Sequence, residues 1–584
     1  MARQDQIKLP GFGLPLDESS DDPYGSAECL SAVIDWRHDV FTVREKCMLF
    51  FVNKITDKPD WQRKVQDPAI IAKWKQEVND LDWTTVVDKN GDMSTKMFEY
   101  CIKELCAKAA LYEETGLISV LDAASRVLKS DTVVSAELKD RLKKAVVPLE
   151  DVPEHQKDWH PGSDGKVLDL VHPSLFPLIY QCSRILPDRT ISQSDCMSAI
   201  GRGKIVPEPV DRYDHDSEDS NLWSSRFQWL PCDVSFPDGE KAKIDSYINN
   251  LHPADHKDLY AVIEDIITIA IPFWNIIWES YPGGSFESKQ RIECDSVEYK
   301  LPEGTKEELP DDFDGYEEDF YETLEKLRIY DKPEPLEFDS LDVTAEDVEN
   351  KFKFLSQGEK KIQVIVKLAN IHLTPEKPSY EGGSWHVEGQ LNEHIVATAL
   401  YYYDNENITD SHLSFRTKVD SEELEESLSY EQGDYKGIEK TFGIINYTPN
   451  TQEIGAVLTR EDRFIAFPNG FQHRVGSFKL IDPTKPGHRK ILALFLVAPT
   501  IPVISTANVP PQQRDWWLRE IKADKSKVSF LPAELIDMIA DGVDFPIGLA
   551  EAKALREELM AERGMMDKAA MEQLTDREFS FCEH

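Results

Sequence analysis

Basic residues are scarce for a chain of this size: 66 Lys and Arg stand against 107 Asp and Glu, a formal charge of −41 over 584 residues. That balance speaks against a nucleic-acid partner, because phosphate binding draws most of its affinity from Lys and Arg. It disfavours anionic membrane surfaces for the same reason. Paired cysteine motifs are also missing. The nine cysteines include no CxxC, and an odd count in so long a chain argues against a disulfide framework. A reducing, cytoplasmic setting is expected. The opening residues, MARQDQIKLPGFGLPL, lack the apolar run of a signal peptide and the Arg and Ser richness of a transit peptide. Long charge-free apolar runs are absent as well: the most apolar stretch, 259–278, carries Glu264, Asp265 and Pro272 and reads as a buried helix. There is no Walker-type phosphate loop, and the GFG near the start is a Pro-flanked turn.

What is present is a globular composition, with 41% hydrophobic residues, 12 Trp and 26 Phe, and length enough for more than one domain. Residues 1–220 read as a mostly helical region, with apolar residues at three- and four-residue spacing between about 42 and 147. Cys101 and Cys106 lie there and read as core. A Pro-, Asp- and His-rich passage follows at 152–173. Residues 221–300 read as a hairpin around the turn signal Pro237-Asp238-Gly239, then the apolar helix. Residues 301–350 hold 19 Asp or Glu against 4 Lys or Arg and read as an acidic linker or surface loop. From 351 to 510 the texture changes to short runs rich in Val, Ile, Leu, Phe and Tyr, among them KKIQVIVKLANIHL, EHIVATALYYY, KTFGIINY, IGAVLTR, DRFIAF, HRVGSFKLI and RKILALFLVAP. Seven or more strands of this kind predict a β-sandwich or barrel. Residues 511–584 return to helix. The fold class expected is α+β: a jelly-roll barrel wrapped by a helical N-terminal region and a helical C-terminal extension.

The chemistry concentrates in the barrel segment. His386 and Glu388 in GGSWHVEGQLNEH are two apart, so on a strand they share a face and can approach one ion. A third ligand appears in FPNGFQHRV: His473 follows a tight Pro-Asn-Gly turn, 87 residues after His386. Two imidazoles and one carboxylate suit Fe(II) and leave coordination positions free. Arg489, 16 residues past His473, opens a strand on the same face as Ile491, Ala493 and Phe495. If that face is interior, its guanidinium needs an anionic partner, and a carboxylate held bidentately fits. Asn370 and Lys367, on the strand before the HxE, are further candidates for holding a cosubstrate. His394, which follows Glu393, reads as a satisfied polar residue, His488 as pointing to the face opposite Arg489, and His412 as loop. Tyr401 and Tyr403 share a face and read as core or pocket lining.

The set HxE, distal His and following Arg resembles the Fe(II)- and 2-oxoglutarate-dependent dioxygenase superfamily, whose fold is a double-stranded β-helix. The resemblance implies metal ligation by His386, Glu388 and His473, and capture of the far carboxylate of 2-oxoglutarate by Arg489. Most members carry Asp at the Glu388 position. With dioxygen as cosubstrate, the implied reaction is oxidation of a C–H bond in a small-molecule substrate. A longer resemblance runs through LPGFGLPL, ITDKPDWQRKV, QWLPCDV, SYINNLHP, VIVKLANIHLTPEKPSYEGGSWHVEGQLNEHIVATALYYYDNENIT, FPNGFQHRV and VPPQQRDWW. These strings are similar to the fungal family catalogued as domain of unknown function 4246. Two other readings stay open at this point: a cupin-like metalloenzyme without 2-oxoglutarate, which would share the PxGxxH string, and a catalytically silent barrel whose acidic segment recruits a basic partner.

Overall fold

In the computed structural model the described residues run from 37 to 581, apart from 210–221, 282–283, 287–289, 307–308, 310–315, 351, 353–360, 524–531 and 577, with two short strand pieces at 9–10 and 13–14. The N-terminal helices begin where polar caps satisfy free backbone donors. The Thr42 side chain accepts from the Glu45 N–H to start α1 (Val43–Thr56), and Ser94 and Ser135 do the same for α2 (Thr95–Thr115) and α3 (Ala136–Glu150). α2 ends at Gly116, whose φ of 72° suits glycine. The mostly helical pattern expected of this region is interrupted by strands. Two strands, β1 (Ile118–Val120) and β2 (Val127–Ser130), leave the helices and join the large sheet.

That sheet has nine strands, paired antiparallel. It contains β3 (Val167–Val171), the hairpin β4 (Cys232–Ser235) and β5 (Lys243–Ile244), and β6 (Lys361–Leu373). It also contains β7 (Ile395–Glu406), β10 (Phe464–Pro468) and β12 (Gly487–Val497). Its order is β5-β4-β6-β12-β7-β10-β2-β1, with β3 also paired to β6. A smaller sheet orders β9 (Thr451–Thr459), β8 (Ser411–Lys418) and β11 (Gln472–Val475) as β9-β8-β11. Among the described residues no ladder joins the two sheets, so the expected closed barrel is instead two antiparallel sheets facing one another across a shared core. Leu413, Phe415 and Val457 from the small sheet share that core with Ile365, Phe467 and Phe495 from the large one.

Alternation along the strands sorts the side chains. On β6, Ile362, Val364, Val366 and Leu368 face outward onto α4 (Lys257–Trp278), while Ile365 faces the space between the sheets. Helix α4 is long and apolar enough to cross a membrane by length and composition, yet 13 of its 22 residues are buried and Phe273 packs on Phe464 of β10. Each such aliphatic side chain contributes about 1.5–3 kcal/mol.

Several local expectations change. KTFGIINY is not a strand: Tyr435–Phe442 is helical and stops at Gly443. His412 lies within β8 and not in a loop. Part of the acidic 301–350 segment is tied down, with Asp342 paired to the buried Arg126 at 2.6 Å and Glu334 to Arg44 at 2.9 Å. The C-terminal extension contains α5 (Leu549–Asp576).

Candidate metal centre

The segment carrying His386 is laid beside β11 by backbone geometry. Gly382 has φ 95°, and a side chain there would meet the Val475 carbonyl at 2.8 Å, so only glycine lets the chain pass this close. His386 N–H then donates to the His473 carbonyl at 3.2 Å, and His473 N–H donates back to His386 at 3.0 Å. This reciprocal pair sets the two imidazoles side by side, with ring centroids 4.4 Å apart. Glu388, two residues on, returns to the same side. Its Oε1 lies 3.4 Å from His473 Nε2 and 3.8 Å from His386 Nε2.

The donor set fits a divalent transition metal. One ligand atom from each residue lies within 4.8 Å of the others, and bonds of about 2.0–2.2 Å to a common ion need only a small contraction. The His386 Nδ1 is 3.0 Å from the Ser384 carbonyl, which fixes the proton on that nitrogen and turns the Nε2 lone pair toward the site. The His473 Nδ1 is buried with no hydrogen-bond partner among the described residues. Burial alone would raise the Glu388 carboxyl. The hydrogen bond from His473 and the charges of His386, His473 and Lys367 outweigh it and bring the carboxyl down to about 2, so Glu388 is ionised at neutral pH.

One residue not singled out in the sequence holds the two ligand segments together. Asn469, in the Pro-Asn-Gly turn before His473, accepts from the Glu388 N–H at 2.8 Å and donates to the Glu388 and Ile395 carbonyls at 2.9 Å each.

Arg489 lies on the inner face of β12 and is fully buried. Its guanidinium makes no ion pair among the described residues, and Nε and Nη1 lack hydrogen-bond partners; Nη2 reaches the Thr459 carbonyl only at 3.5 Å. Phe478 covers it at 4.3 Å and Tyr402 at 5.6 Å, measured to the ring centroids. Burial pulls its pKa below the ordinary value, partly offset by Tyr402 and Tyr380. Tyr402 therefore faces the site, while Tyr401 and Tyr403 pack outward in the core beneath α4.

The two candidates on β6 separate. Lys367 points inward, close enough for its charge to be felt at Glu388. Asn370 does not join it: its amide donates to Glu150 at 2.6 Å and accepts from the Tyr403 hydroxyl at 3.3 Å, on the outer face. Three residues of separation on a strand reverse the face, so the two candidates cannot both turn inward. His488 also points away, 3.1 Å from Asp404.

A second group of metal-capable side chains, His160, Asp169 and His172, was not legible as a unit. Its lone pairs are largely used. His160 Nδ1 bonds Asp169 at 2.8 Å, Arg556 comes within 3.7 Å of the same oxygen, and His172 Nδ1 accepts from the Ser174 N–H at 3.2 Å.

Residues 95–520 match the family described as protein of unknown function DUF4246, and residues 9–77 match its N-terminal domain. The chain belongs to the DUF4246 family. No curated protein matches it. Among solved structures this DUF4246 protein is similar to the Fe(II)/(alpha)ketoglutarate-dependent dioxygenase TqaL, at 15% identity over 25% of this chain and 45% of that one, with a TM-score of 0.15. It is also similar to EvdO2 from Micromonospora carbonacea var. aurantiaca, at 11% identity over 27% of this chain and 62% of that one, with a TM-score of 0.14. In both cases the chain spans less than two thirds of the matched protein.

Proposed function

We propose that this DUF4246 protein is a non-haem Fe(II)- and 2-oxoglutarate-dependent oxygenase acting on a C–H bond of a small molecule. The observation that carries the reading is Arg489: a fully buried guanidinium without a carboxylate partner among the described residues, on β12 of the large sheet, whereas His473 lies on β11 of the small one. An uncompensated buried cation costs several kcal/mol, and a bidentate carboxylate removes that cost. The strand order supports a double-stranded β-helix, with β6-β12-β7-β10 as one layer and the β9-β8-β11 sheet, extended by the His386 bridge, as the other.

In this reading His386, Glu388 and His473 hold Fe(II), and Arg489 receives the far carboxylate of 2-oxoglutarate. When bound, these groups supply dioxygen-dependent oxidation of a C–H bond, with 2-oxoglutarate leaving as succinate and carbon dioxide. The chain's own contribution is positional. Ser384 fixes the His386 tautomer, Asn469 fixes the Glu388 backbone, and Phe478 and Tyr402 keep water from the guanidinium so that its bond to a carboxylate is made in a low-dielectric setting. Iron-loaded protein supplied with 2-oxoglutarate in air is expected to release succinate, with His473→Ala inactive. A protein that retains one iron per chain and yet forms no succinate would contradict the assignment.

A further inference from the structure

We propose that Arg563, on the C-terminal helix α5, is a positioning residue for the metal centre: through the buried Glu393 it holds the loop that presents Glu388. The inference rests on the triad being the metal site of the reading above. Glu388 leads into a loop at 389–394 whose only regular piece is a short 3-10 turn, Leu391–Glu393. Asn469 secures this loop at its two ends, at Glu388 and at Ile395. Between them the anchor is Glu393, whose side chain is fully buried. Its Oε2 accepts from the Gln390 N–H at 2.8 Å, and a side chain at Gly389 would meet that oxygen at 2.6 Å, so the carboxylate lies against the residue that follows Glu388. Its Oε1 accepts from the Trp229 N–H and from the Arg563 guanidinium.

An ionised carboxylate inside a protein needs a cation, and α5 brings one from 170 residues further along the chain. The guanidinium is held over the Trp229 ring at 3.7 Å from its centroid. Two more contacts from the same part of α5 reach the ligand segment. Glu562 accepts from the Gln390 amide at 2.8 Å, and Met566 is buried in one cluster with Leu222 and with Val387, the residue between His386 and Glu388. Without the guanidinium, Glu393 is an uncompensated buried charge. The loop relieves it by turning the carboxylate toward water, and the Gln390 and Trp229 bonds that set the path of the chain just after Glu388 are lost with it. Arg556 is the internal comparison: it is buried on the same helix and pairs with Asp158 at 2.6 Å, but its carboxylate partners, Asp158 and Asp169, lie outside the ligand loop.

The test measures Co(II) affinity of the full chain by competition with a chelator, and the visible Co(II) absorption, in the wild type, Arg563→Met, Arg563→Lys, Arg556→Met and Glu393→Gln. Arg563→Met should bind Co(II) about 10–100-fold more weakly, the usual worth of a group that orients a metal ligand, and should alter the Co(II) band as Glu388 shifts. Arg563→Lys, which keeps the charge, should restore most of the affinity. Arg556→Met should lose stability in urea and yet bind Co(II) as the wild type does. Wild-type affinity in Arg563→Met, or equal weakening in Arg556→Met, would overturn the proposal, the second by showing that docking of the whole helix matters and Arg563 does not. Should Arg563→Met fail to fold, Glu393→Gln decides: it keeps the shape and removes the charge that Arg563 meets, so it should show the same 10–100-fold loss, and wild-type affinity there would overturn the proposal. A wild type that binds no Co(II), or a His473→Ala variant that binds it as well as the wild type, would count against the triad itself and not against Arg563 in particular.

Discussion

Replacing Arg489 by methionine should make the ligand-free protein more stable and the 2-oxoglutarate complex unattainable. Arg489 is 0% exposed, has one contact at 3.5 Å with the Thr459 carbonyl, and gains from the Phe478 ring at 4.3 Å. A desolvated cation over an aromatic face recovers about 2 kcal/mol, less than the several kcal/mol that removing a lone charge from water costs. Methionine fills a similar volume without charge, so the variant should gain about 1–4 kcal/mol, the range seen when buried ionic groups give way to apolar ones. The same change removes two charge-assisted hydrogen bonds to the cosubstrate, worth about 3 kcal/mol or more together, and weakens 2-oxoglutarate binding about a hundredfold or more. Urea unfolding with Mn(II) in place of Fe(II), with and without 2-oxoglutarate, separates the two effects. Without 2-oxoglutarate the variant should have the higher midpoint. With it at about a hundred times its dissociation constant, the wild type should gain about 2.7 kcal/mol and the variant almost nothing. A variant less stable than the wild type in the absence of ligand, with both proteins gaining equally from 2-oxoglutarate, would show that Arg489 is structural and refute the reasoning.

Asn469→Ala removes the bonds that pin the Glu388 backbone, and metal affinity, followed by competition with a chelator, should fall about 10–100-fold while far-UV circular dichroism is unchanged. Arg463→Ala should destabilise by about 3–5 kcal/mol in denaturant, because it leaves Asp57 and Asp131, which it bonds at 2.6 and 2.7 Å, without their buried guanidinium and loosens α1 and β2 from the core. His38 is buried, and burial lowers its pKa from 6.5 to about 3, so below pH 6.5 the unfolded chain takes up a proton that the folded chain refuses. Stability should therefore fall as pH drops from 6.5 toward 3, by about 1.4 kcal/mol per unit from this group, and the slope should shrink by that amount in His38→Phe.

The grouping was legible from spacing: the two-residue offset of His386 and Glu388 suggested one side of the chain, although that segment is a single bridge to His473 and not a strand, and His473 was marked by the turn before it. Arg489 was legible for the same reason, as a charge at the head of a run whose alternate residues are apolar. Asn370 failed by parity, since an odd offset from Lys367 places it among Glu150 and Tyr403. Tyr402 was passed over in favour of its neighbours because register shifts on β7 at 395–397 and 402–404 break simple counting. The strands at 118–120 and 127–130 were hidden within a helical pattern, and what makes them strands is pairing with β10, more than three hundred residues away. The His160, Asp169 and His172 group and the buried cations Lys129 and Arg463 depend on partners distant in sequence, which no local pattern reports.

The most direct test of the central claim is an anaerobic titration of the Fe(II)-loaded protein with 2-oxoglutarate, followed by visible absorption, alongside His386→Ala and Arg489→Ala. The account predicts a weak charge-transfer band that saturates in the wild type, is absent without His386, and needs about a hundredfold more 2-oxoglutarate without Arg489. An iron-loaded wild type that develops no band, or a band indifferent to Arg489, would contradict it.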